Sequence, residues 1–265
     1  FGGTLSGGAT LIGRRNEVLG QIKNAVSPDK NVLRLDTYHI NDFHSNTEQL
    51  PRIKTLLDQR MAASKANGVD SRFVVPGDIE SGRVNFAFTS GGKIENEALM
   101  KMGAKEIVPG NHAYDAPGGR SDVPRYPAVM EPLLQKYPDV SLIASNLDVS
   151  AHPQYERILK PYVVREVETP WGKSRIGTIG VTTEEGAVGG LKYVDPKETV
   201  EAAVNQLKKE GVSIFQIHSH LGLGEDIKLA QPLVAIDINV AGIIGAHSRD
   251  ALVRPDCVGA ESKSG

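Results

Sequence analysis

The chain has little cysteine and no long apolar run. Cys257 is its one cysteine among 265 residues, which excludes an internal disulfide and a zinc site built from several thiolates. No stretch approaches the roughly eighteen continuous apolar residues of a membrane span. An excess of one charge is also missing, since 30 basic and 32 acidic residues give a net charge of −2. This balance argues against nucleic acid or an anionic membrane as a partner.

What the chain does have is enough apolar sequence for a large core. With 40% hydrophobic residues, it can form one large α/β domain or two small ones. We expect a glycine-rich arm with a helix over residues 1–30, the main domain over 31–255 and a short tail over 256–265. The chain begins at Phe1, as a fragment or a chain that has lost a signal peptide would; no signal peptide is visible in it.

Strand-like apolar runs alternate with helical periodicity along the main domain. The spacing of Leu50, Leu57 and Met61 predicts a helix, and Asp195 followed by a proline predicts the start of another. Residues 162–168 and 174–181 predict a β-hairpin. Further strands are predicted at residues 32–40, 73–75, 106–108, 141–144, 214–217 and 240–244.

Polar residues follow many of these strands. In α/β folds, ligand sites gather at the carboxyl ends of strands, so we expect these residues to converge although they are far apart in sequence. His218 is expected to point away from His220 and to be structural. The candidate site residues are Asp42, His44, Asp78, Asn111, His112, Asp115, His220 and His247.

The candidate residues form a set of oxygen and nitrogen ligands without thiolates. Such a set suits zinc, manganese, iron or a similar divalent ion and does not choose between them. One aspartate can bridge two cations about 3.5–4 Å apart, the usual arrangement for hydrolysing phosphate esters. Asp78 is the natural bridge because it is central in the series. Taken singly, each residue also has a plainer reading as a turn, a cap or a core histidine.

Five ordered motifs in this chain resemble those of the calcineurin-like metallophosphoesterases, most closely the 5′-nucleotidase branch. The resemblance covers roughly residues 33 to 250, and it implies a four-layer αββα sandwich of two mixed β-sheets flanked by helices. The motifs are Asn41-Asp42-Phe43-His44, Gly77-Asp78-Ile79-Glu80-Ser81-Gly82, Gly110-Asn111-His112-Ala113-Tyr114-Asp115, Ser219-His220-Leu221-Gly222 and Gly245-Ala246-His247-Ser248.

The resemblance also implies roles for the candidate residues. A first divalent metal would be held by Asp42, His44 and Asp78, and a second by Asp78, Asn111, His220 and His247. A metal-bound hydroxide would attack a phosphate monoester in line, as in a 5′-nucleotidase. His112 matches the family's catalytic histidine, and Asp115 matches the residue that orients it.

Three departures from the family pattern stand out. Arg249 occupies the position of a further ligand of the first metal, usually histidine or sometimes glutamine, and an arginine offers no lone pair. We therefore expect the first metal to bind more weakly or not at all. Ala113 replaces a common glutamate that is not a ligand. No C-terminal domain for nucleobase recognition is identifiable in this chain.

These departures leave alternatives open. One is a degenerate member that keeps the scaffold as a binding or structural subunit of an assembly; Arg249 favours it and the intact pair of His112 and Asp115 opposes it. Another keeps the metals and acts on a cyclic phosphodiester or a sulfur ester. By resemblance, the protein is expected in the periplasm or outside the cell, and its substrate is a small phosphorylated compound such as a nucleotide.

Overall fold

The computed structural model describes residues 33–80, 89–117, 120–169, 171–235, 238, 240–250 and 252. The expected arm at 1–30 and tail at 256–265, with Cys257, lie outside the described residues, as do positions 81 and 82 of the second motif. No helix within the described ranges is both long enough and apolar enough to cross a membrane.

The chain alternates between strands and helices as its periodicity predicts. The strands are β1 (Leu35–His39), β2 (Asp70–Val75), β3 (Ala104–Ile107), β4 (Asp115–Ala116), β5 (Arg120–Ser121), β6 (Ser141–Ile143), β7 (Leu147–Asp148), β8 (Leu159–Lys160), β9 (Tyr162–Thr169), β10 (Gly172–Thr182), β11 (Lys192–Tyr193), β12 (Ile214–His220) and β13 (Val240–Ile244). The helices are α1 (Leu50–Ala66), α2 (Lys93–Met102), α3 (Arg125–Lys136), α4 (Pro153–Glu156), α5 (Pro196–Lys209) and α6 (Leu223–Ala235).

Local signals set several helix ends. Helix α5 begins where expected, because the Asp195 carboxylate accepts hydrogen bonds from the backbone N–H groups of Lys197 and Glu198. Helix α2 ends at Gly103, whose φ of 105° is left-handed and therefore favours glycine. The start at Asp195 was predicted from the sequence and is confirmed.

Two β-sheets form the centre of the fold. The first has the order β1-β2-β3-β6-β8, and every pair in it is parallel. The second has the order β13-β12-β10-β9, in which β9 and β10 are antiparallel and the other pairs are parallel. The β9–β10 pairing confirms the predicted hairpin. Among the described strands, only the second sheet is mixed, whereas two mixed sheets were expected.

Helices cover the outer face of each sheet, which gives the four predicted layers. Helices α1, α2 and α3 pack on the first sheet around a core that contains Leu57, Leu99 and Met130. Helices α5 and α6 pack on the second sheet around Val204 and Leu233. Each sheet therefore has its own apolar core on the side that faces its helices.

The layer between the sheets is largely polar at its centre. Arg72 Nε on β2 donates to Glu106 on β3 at 2.9 Å, and Gln216 on β12 donates to the Thr37 hydroxyl at 3.4 Å. His218 is also buried in this layer. The expectation that His218 points away from His220 is wrong: β12 runs as a regular strand to residue 220, and residues two apart share a face.

The carboxyl ends of the parallel strands meet at one edge of the two sheets. The loops after β1, β2 and β3 lie beside the end of β12 and the loop after β13, as the contacts between their side chains show. The parallel strands of the two sheets thus bring the predicted polar loops together.

Candidate metal centre

The loops after β1 and β2 are joined by backbone hydrogen bonds. The N–H of Asp42 donates to Gly77 O at 3.2 Å, and the N–H of His44 donates to Asp78 O at 3.0 Å. The Asp42 carboxylate is then fixed from two sides, since its Oδ2 accepts from Asn41 Nδ2 at 2.7 Å and from the N–H of His247 at 3.0 Å. Three loops are tied together in this way.

Left-handed backbone conformations are concentrated in the same loops. Non-glycine residues rarely adopt a positive φ, which costs on the order of 1 kcal/mol or more each. Within the described ranges, all the non-glycine residues with a positive φ lie in these loops. They are Asp42, His44, Ser45, Asp78, His247 and Arg249, with φ between 47° and 77°.

Asp78 is the hub of the arrangement. Its side chain is 2% exposed, and its Oδ1 lies 3.2 Å from His220 Nε2 and 3.3 Å from the N–H of His112. Its Oδ2 lies 3.8 Å from His44 Nε2 and 4.0 Å from His112 Nε2. Burial raises the pKa of Asp78, but the bonds and charges of His220 and His112 outweigh burial and leave it lowered.

Two glycines make this packing possible. A Cβ added at Gly110 would overlap Asp78 Oδ1, and a Cβ added at Gly77 would overlap the imidazole of His220. Gly77 also has a φ of 110°, which a residue with a side chain adopts only under strain. The loop geometry thus requires glycine at both positions.

The tautomer of His220 is set by the backbone. Its Nδ1 lies 2.8 Å from the carbonyl oxygen of Pro76, so Nδ1 carries the proton. A neutral ring would then present a lone pair at Nε2 toward the Asp78 carboxylate, 3.2 Å away, whereas a protonated ring would donate a hydrogen bond to it. Two facing lone pairs repel unless positive charge lies between them. A proton or a metal ion satisfies this requirement.

Several buried side-chain atoms of the candidate residues have no hydrogen-bond partner. An unpartnered buried polar atom costs about 1–3 kcal/mol, so each one calls for an explanation. Carbonyl oxygen, imidazole nitrogen and carboxylate oxygen are all ligands of divalent ions, and the residues therefore fit a metal ion. These atoms are Asn111 Oδ1, His220 Nε2, His247 Nδ1 and Asp42 Oδ1.

The site's histidines and carboxylates form two groups that share Asp78. In each, ligand atoms lie within 4.8 Å of one another; one joins Asp78 with His220 and His247, and the other joins it with His44 and His112. The two groups correspond to the two sides of one carboxylate. A shared aspartate is the arrangement expected for a pair of cations.

Arg249 lies within the second of these groups. Its Nη2 is 2.6 Å from His44 Nε2, and its Nε is 3.7 Å from Asp42 Oδ1. Burial lowers the pKa of His44; the Asp78 carboxylate opposes this effect, and the charge of Arg249 adds to it. The neutral imidazole of His44 thus accepts a hydrogen bond at Nε2 from the guanidinium of Arg249.

His112 and Asp115 form a close pair at the open side of the site. His112 Nδ1 lies 2.7 Å from Asp115 Oδ2. This hydrogen bond raises the pKa of His112 despite the opposing effect of burial. Asp115 therefore holds the ring with Nε2 directed to the edge occupied by Asp78, and it favours the imidazolium form.

A chain of buried hydrogen bonds supports the loop that carries His112. The Asn146 side chain bonds both the N–H and the carbonyl oxygen of Thr182 at 2.8 Å. The Thr182 hydroxyl in turn donates to Pro109 O at 2.7 Å. Neither Asn146 nor Thr182 was among the site residues proposed from the sequence. The position of Thr182 at the end of the buried strand β10 was the available signal.

All eight site residues proposed from the sequence lie at this edge. His44, His112, His220 and His247 lie next to Asp78. Asp42 is bonded to the backbone of His247, and Asp115 is joined to Asp78 through His112. Asn111 lies on the 3₁₀ turn Asn111–Tyr114 that follows β3. Asn41, Arg249 and the two glycines complete the geometry.

Comparisons with known proteins agree with this fold. No family model matches the sequence. A 5′-nucleotidase of Vibrio cholerae is 26% identical over 244 residues, covering 82% of this chain and 40% of the relative. A 5′-nucleotidase precursor from Thermus thermophilus superimposes with a TM-score of 0.60 at 24% identity, over 80% of this chain and 41% of that one.

A calcineurin-like phosphoesterase from Bacillus subtilis superimposes with a TM-score of 0.54 at 16% identity, over 80% of this chain and 71% of that one. The chain thus has the fold of the calcineurin-like metallophosphoesterases. Within that class its resemblance to the 5′-nucleotidase branch is confirmed. The chain spans 40% or less of the length of the first curated relatives it matches.

Proposed function

We propose that this chain is a metal-dependent phosphoesterase domain that hydrolyses phosphate monoesters. One observation carries the proposal: His220 and His247 place buried, unpartnered ligand atoms beside Asp78, and the hydrogen-bonded pair of His112 and Asp115 lies next to it. Asn111 Oδ1 is likewise buried and unpartnered, on the turn that carries His112. Neither feature alone would distinguish a reaction from a structural ion. Together they offer a site for a cation, whose positive charge would stabilise a phosphoryl group, and a proton donor for the leaving group.

A divalent cation, when bound, would supply the Lewis acidity and positive charge that attack on a phosphate ester requires. Asp78, Asn111, His220 and His247 would hold it. Because Pro76 O fixes the proton of His220 on Nδ1, that ring is already in the tautomer a ligand needs.

His112 has a different task in this proposal. Its Nδ1 is engaged by Asp115, so the imidazolium can donate a proton only from Nε2, which lies 4.0 Å from Asp78 Oδ2 and faces the centre. A proton given to the departing alkoxide at this edge would make it a neutral alcohol. Asp115 keeps the ring in place and stabilises its charge during the step.

The proposed substrate is a nucleoside 5′-monophosphate or a similar small phosphate monoester. The Vibrio cholerae relative, a 5′-nucleotidase by name, supports this choice. The chain corresponds to 40% of that relative, so the activity of the whole protein is part of the proposal. By resemblance, we also propose that the protein works in the periplasm or outside the cell.

The test is turnover of a substrate panel with Mn²⁺ or Zn²⁺ added to protein freed of metal by chelation. The panel contains AMP, p-nitrophenyl phosphate, a cyclic nucleotide and a sulfate ester. We expect monoester hydrolysis that EDTA abolishes and that His112→Ala lowers by about 100-fold or more. His152→Ala is the matched control, since His152 bonds Gly189 O away from the site.

A second candidate is a scaffold that binds partners without turnover, and Arg249 beside His44 is the observation that favours it. A folded protein that binds no metal and hydrolyses nothing in the panel would establish this candidate over the first. Turnover of the cyclic nucleotide or the sulfate ester alone would instead retain the metal site and replace the substrate.

A further inference from the structure

We infer that the guanidinium of Arg249 takes the place of a second cation, so that the centre binds one divalent ion, at Asp78, Asn111, His220 and His247. This inference rests on the proposed function, since it assumes that the centre binds a metal. It identifies Arg249 as a built-in positive charge of the site.

Arg249 and a metal ion would compete for one lone pair of His44. Arg249 Nη2 lies 2.6 Å from His44 Nε2. Arginine stays protonated and can only donate, so His44 Nε2 accepts, and its lone pair is used in that bond. A metal ion would need the same lone pair at about 2.0–2.1 Å. The guanidinium and a cation cannot both use it.

Arg249 also lies close to the Asp42 carboxylate. Its Oδ2 already accepts two hydrogen bonds, from Asn41 Nδ2 and from the N–H of His247. Its Oδ1 accepts no hydrogen bond but lies 3.7 Å from Arg249 Nε, within ion-pair distance. The negative charge of Asp42 is thus balanced by the guanidinium.

The ligand atoms on the other side of the Asp78 carboxylate lack such a partner among the described residues. Asn111 Oδ1, His220 Nε2 and His247 Nδ1 are buried and have no hydrogen-bond partner. No arginine or lysine is paired with these three atoms among the described residues. Positive charge is therefore still required on this side of the carboxylate, whereas Arg249 already provides it on the other.

The position of Arg249 also suits a role toward substrate. Its side chain is 59% exposed, while those of His44 and Asp42 beneath it are 17% and 5% exposed. A guanidinium has five N–H donors, and one hydrogen bond to His44 leaves others that can meet phosphoryl oxygens. The arginine can thus offset negative charge where a second ion would otherwise stand.

The experiment counts bound metal directly. Metal-free protein is equilibrated with Mn²⁺ or Zn²⁺ alone, separated from free ion by gel filtration and analysed by mass spectrometry of the metal; titration calorimetry gives the affinity. We expect one equivalent in the native chain and a second equivalent in Arg249→His, because the imidazole adds a lone pair and removes the competing charge. Arg249→Gln offers a carbonyl oxygen and tests the same point.

Arg157→His is the matched control. Arg157 is 58% exposed and pairs with Glu131 away from the site, so its replacement adds a surface histidine without touching the centre. We expect this variant to bind one equivalent. Circular dichroism establishes which variants are folded, and if Arg249→His is not, Arg249→Gln decides.

The outcomes separate the inference from the proposed function. Two equivalents in the native chain overturn the inference and leave the proposed function standing. One equivalent in native protein and in both folded Arg249 variants also overturns it, since removal of the guanidinium then frees no site. Absence of bound metal from the native chain overturns the inference and the proposed function together. If neither variant folds, the native count decides.

Discussion

Gly110 lies so close to Asp78 that even a single methyl group at position 110 would overlap the Oδ1 atom of that carboxylate. The backbone of Gly110, at a φ of −84°, is open to any residue. Space, and not backbone conformation, is therefore what excludes a side chain here. Close packing brings the N–H of His112 to within 3.3 Å of the same oxygen.

This contact predicts that Gly110→Ala displaces the hub carboxylate. We expect a loss of about 1–3 kcal/mol in unfolding free energy from overpacking, together with weaker metal binding, measured by urea denaturation and calorimetry. Gly224→Ala is the control: beyond its chain neighbours and its own helix, no atom lies within 4 Å of a Cβ there, so we expect no loss of stability or metal affinity. Unchanged metal affinity in Gly110→Ala would contradict the contact's importance.

Replacement of Asp115 should impair turnover more than substrate binding. Asp115→Asn removes the carboxylate whose hydrogen bond, aided by its negative charge, raises the pKa of His112 and stabilises the imidazolium. We expect kcat for a phosphate monoester to fall by about 100-fold, with little change in KM. Asp148→Asn is a matched control, since Asp148 is 36% exposed against 39% for Asp115 and lies outside the site. If Asp115→Asn has the same kcat as Asp148→Asn, the proposed role of Asp115 is ruled out.

The polar layer between the sheets predicts a strong double-mutant effect. Glu106 is 1% exposed and is paired with Arg72. Arg72→Met leaves that carboxylate buried without its partner, so we expect a loss of about 3–5 kcal/mol in unfolding free energy. Adding Glu106→Gln should recover a large part of it. If the double variant is no more stable than Arg72→Met in urea denaturation, the ion pair is not the cause.

His218 predicts that the fold loses stability in acid. Burial lowers its pKa from 6.5 to about 3, so the folded ring stays neutral while the unfolded chain takes up a proton. The unfolded state then binds more protons below pH 6.5, and stability that is present above that pH falls toward pH 3, with a slope approaching about 1.4 kcal/mol per pH unit.

The variant His218→Gln removes this proton uptake. When the pH is lowered from 7.5 to 5, the unfolding free energy of this variant minus that of the native chain should rise by about 2 kcal/mol. Urea denaturation of both proteins in EDTA, at the two pH values, measures the change. A difference between the two proteins that stays the same at both pH values would show that His218 is not the titrating group.

Local signals made much of the architecture predictable. Helix α5 could be located from Asp195 and its apolar stripe, and helix α1 from Leu50, Leu57 and Met61, because capping and periodicity act within a few residues. Helices α3 and α6 were not predicted. Each contains an internal proline, Pro132 and Pro232, which breaks the expected pattern in sequence but is accommodated in the fold.

The sequence by itself determined the alternation of strands and helices, the cap at Asp195, the hairpin, and the set of Asp, Asn and His residues at strand ends. These follow from interactions between near neighbours and from side-chain chemistry. The tertiary structure decided what depends on distant segments: the overlap that excludes a side chain at Gly110, the proton of His220 held by Pro76, and the contact of Arg249 with His44. Residues 44 and 249 meet only because parallel strands end at one edge, and no local pattern encodes that distance.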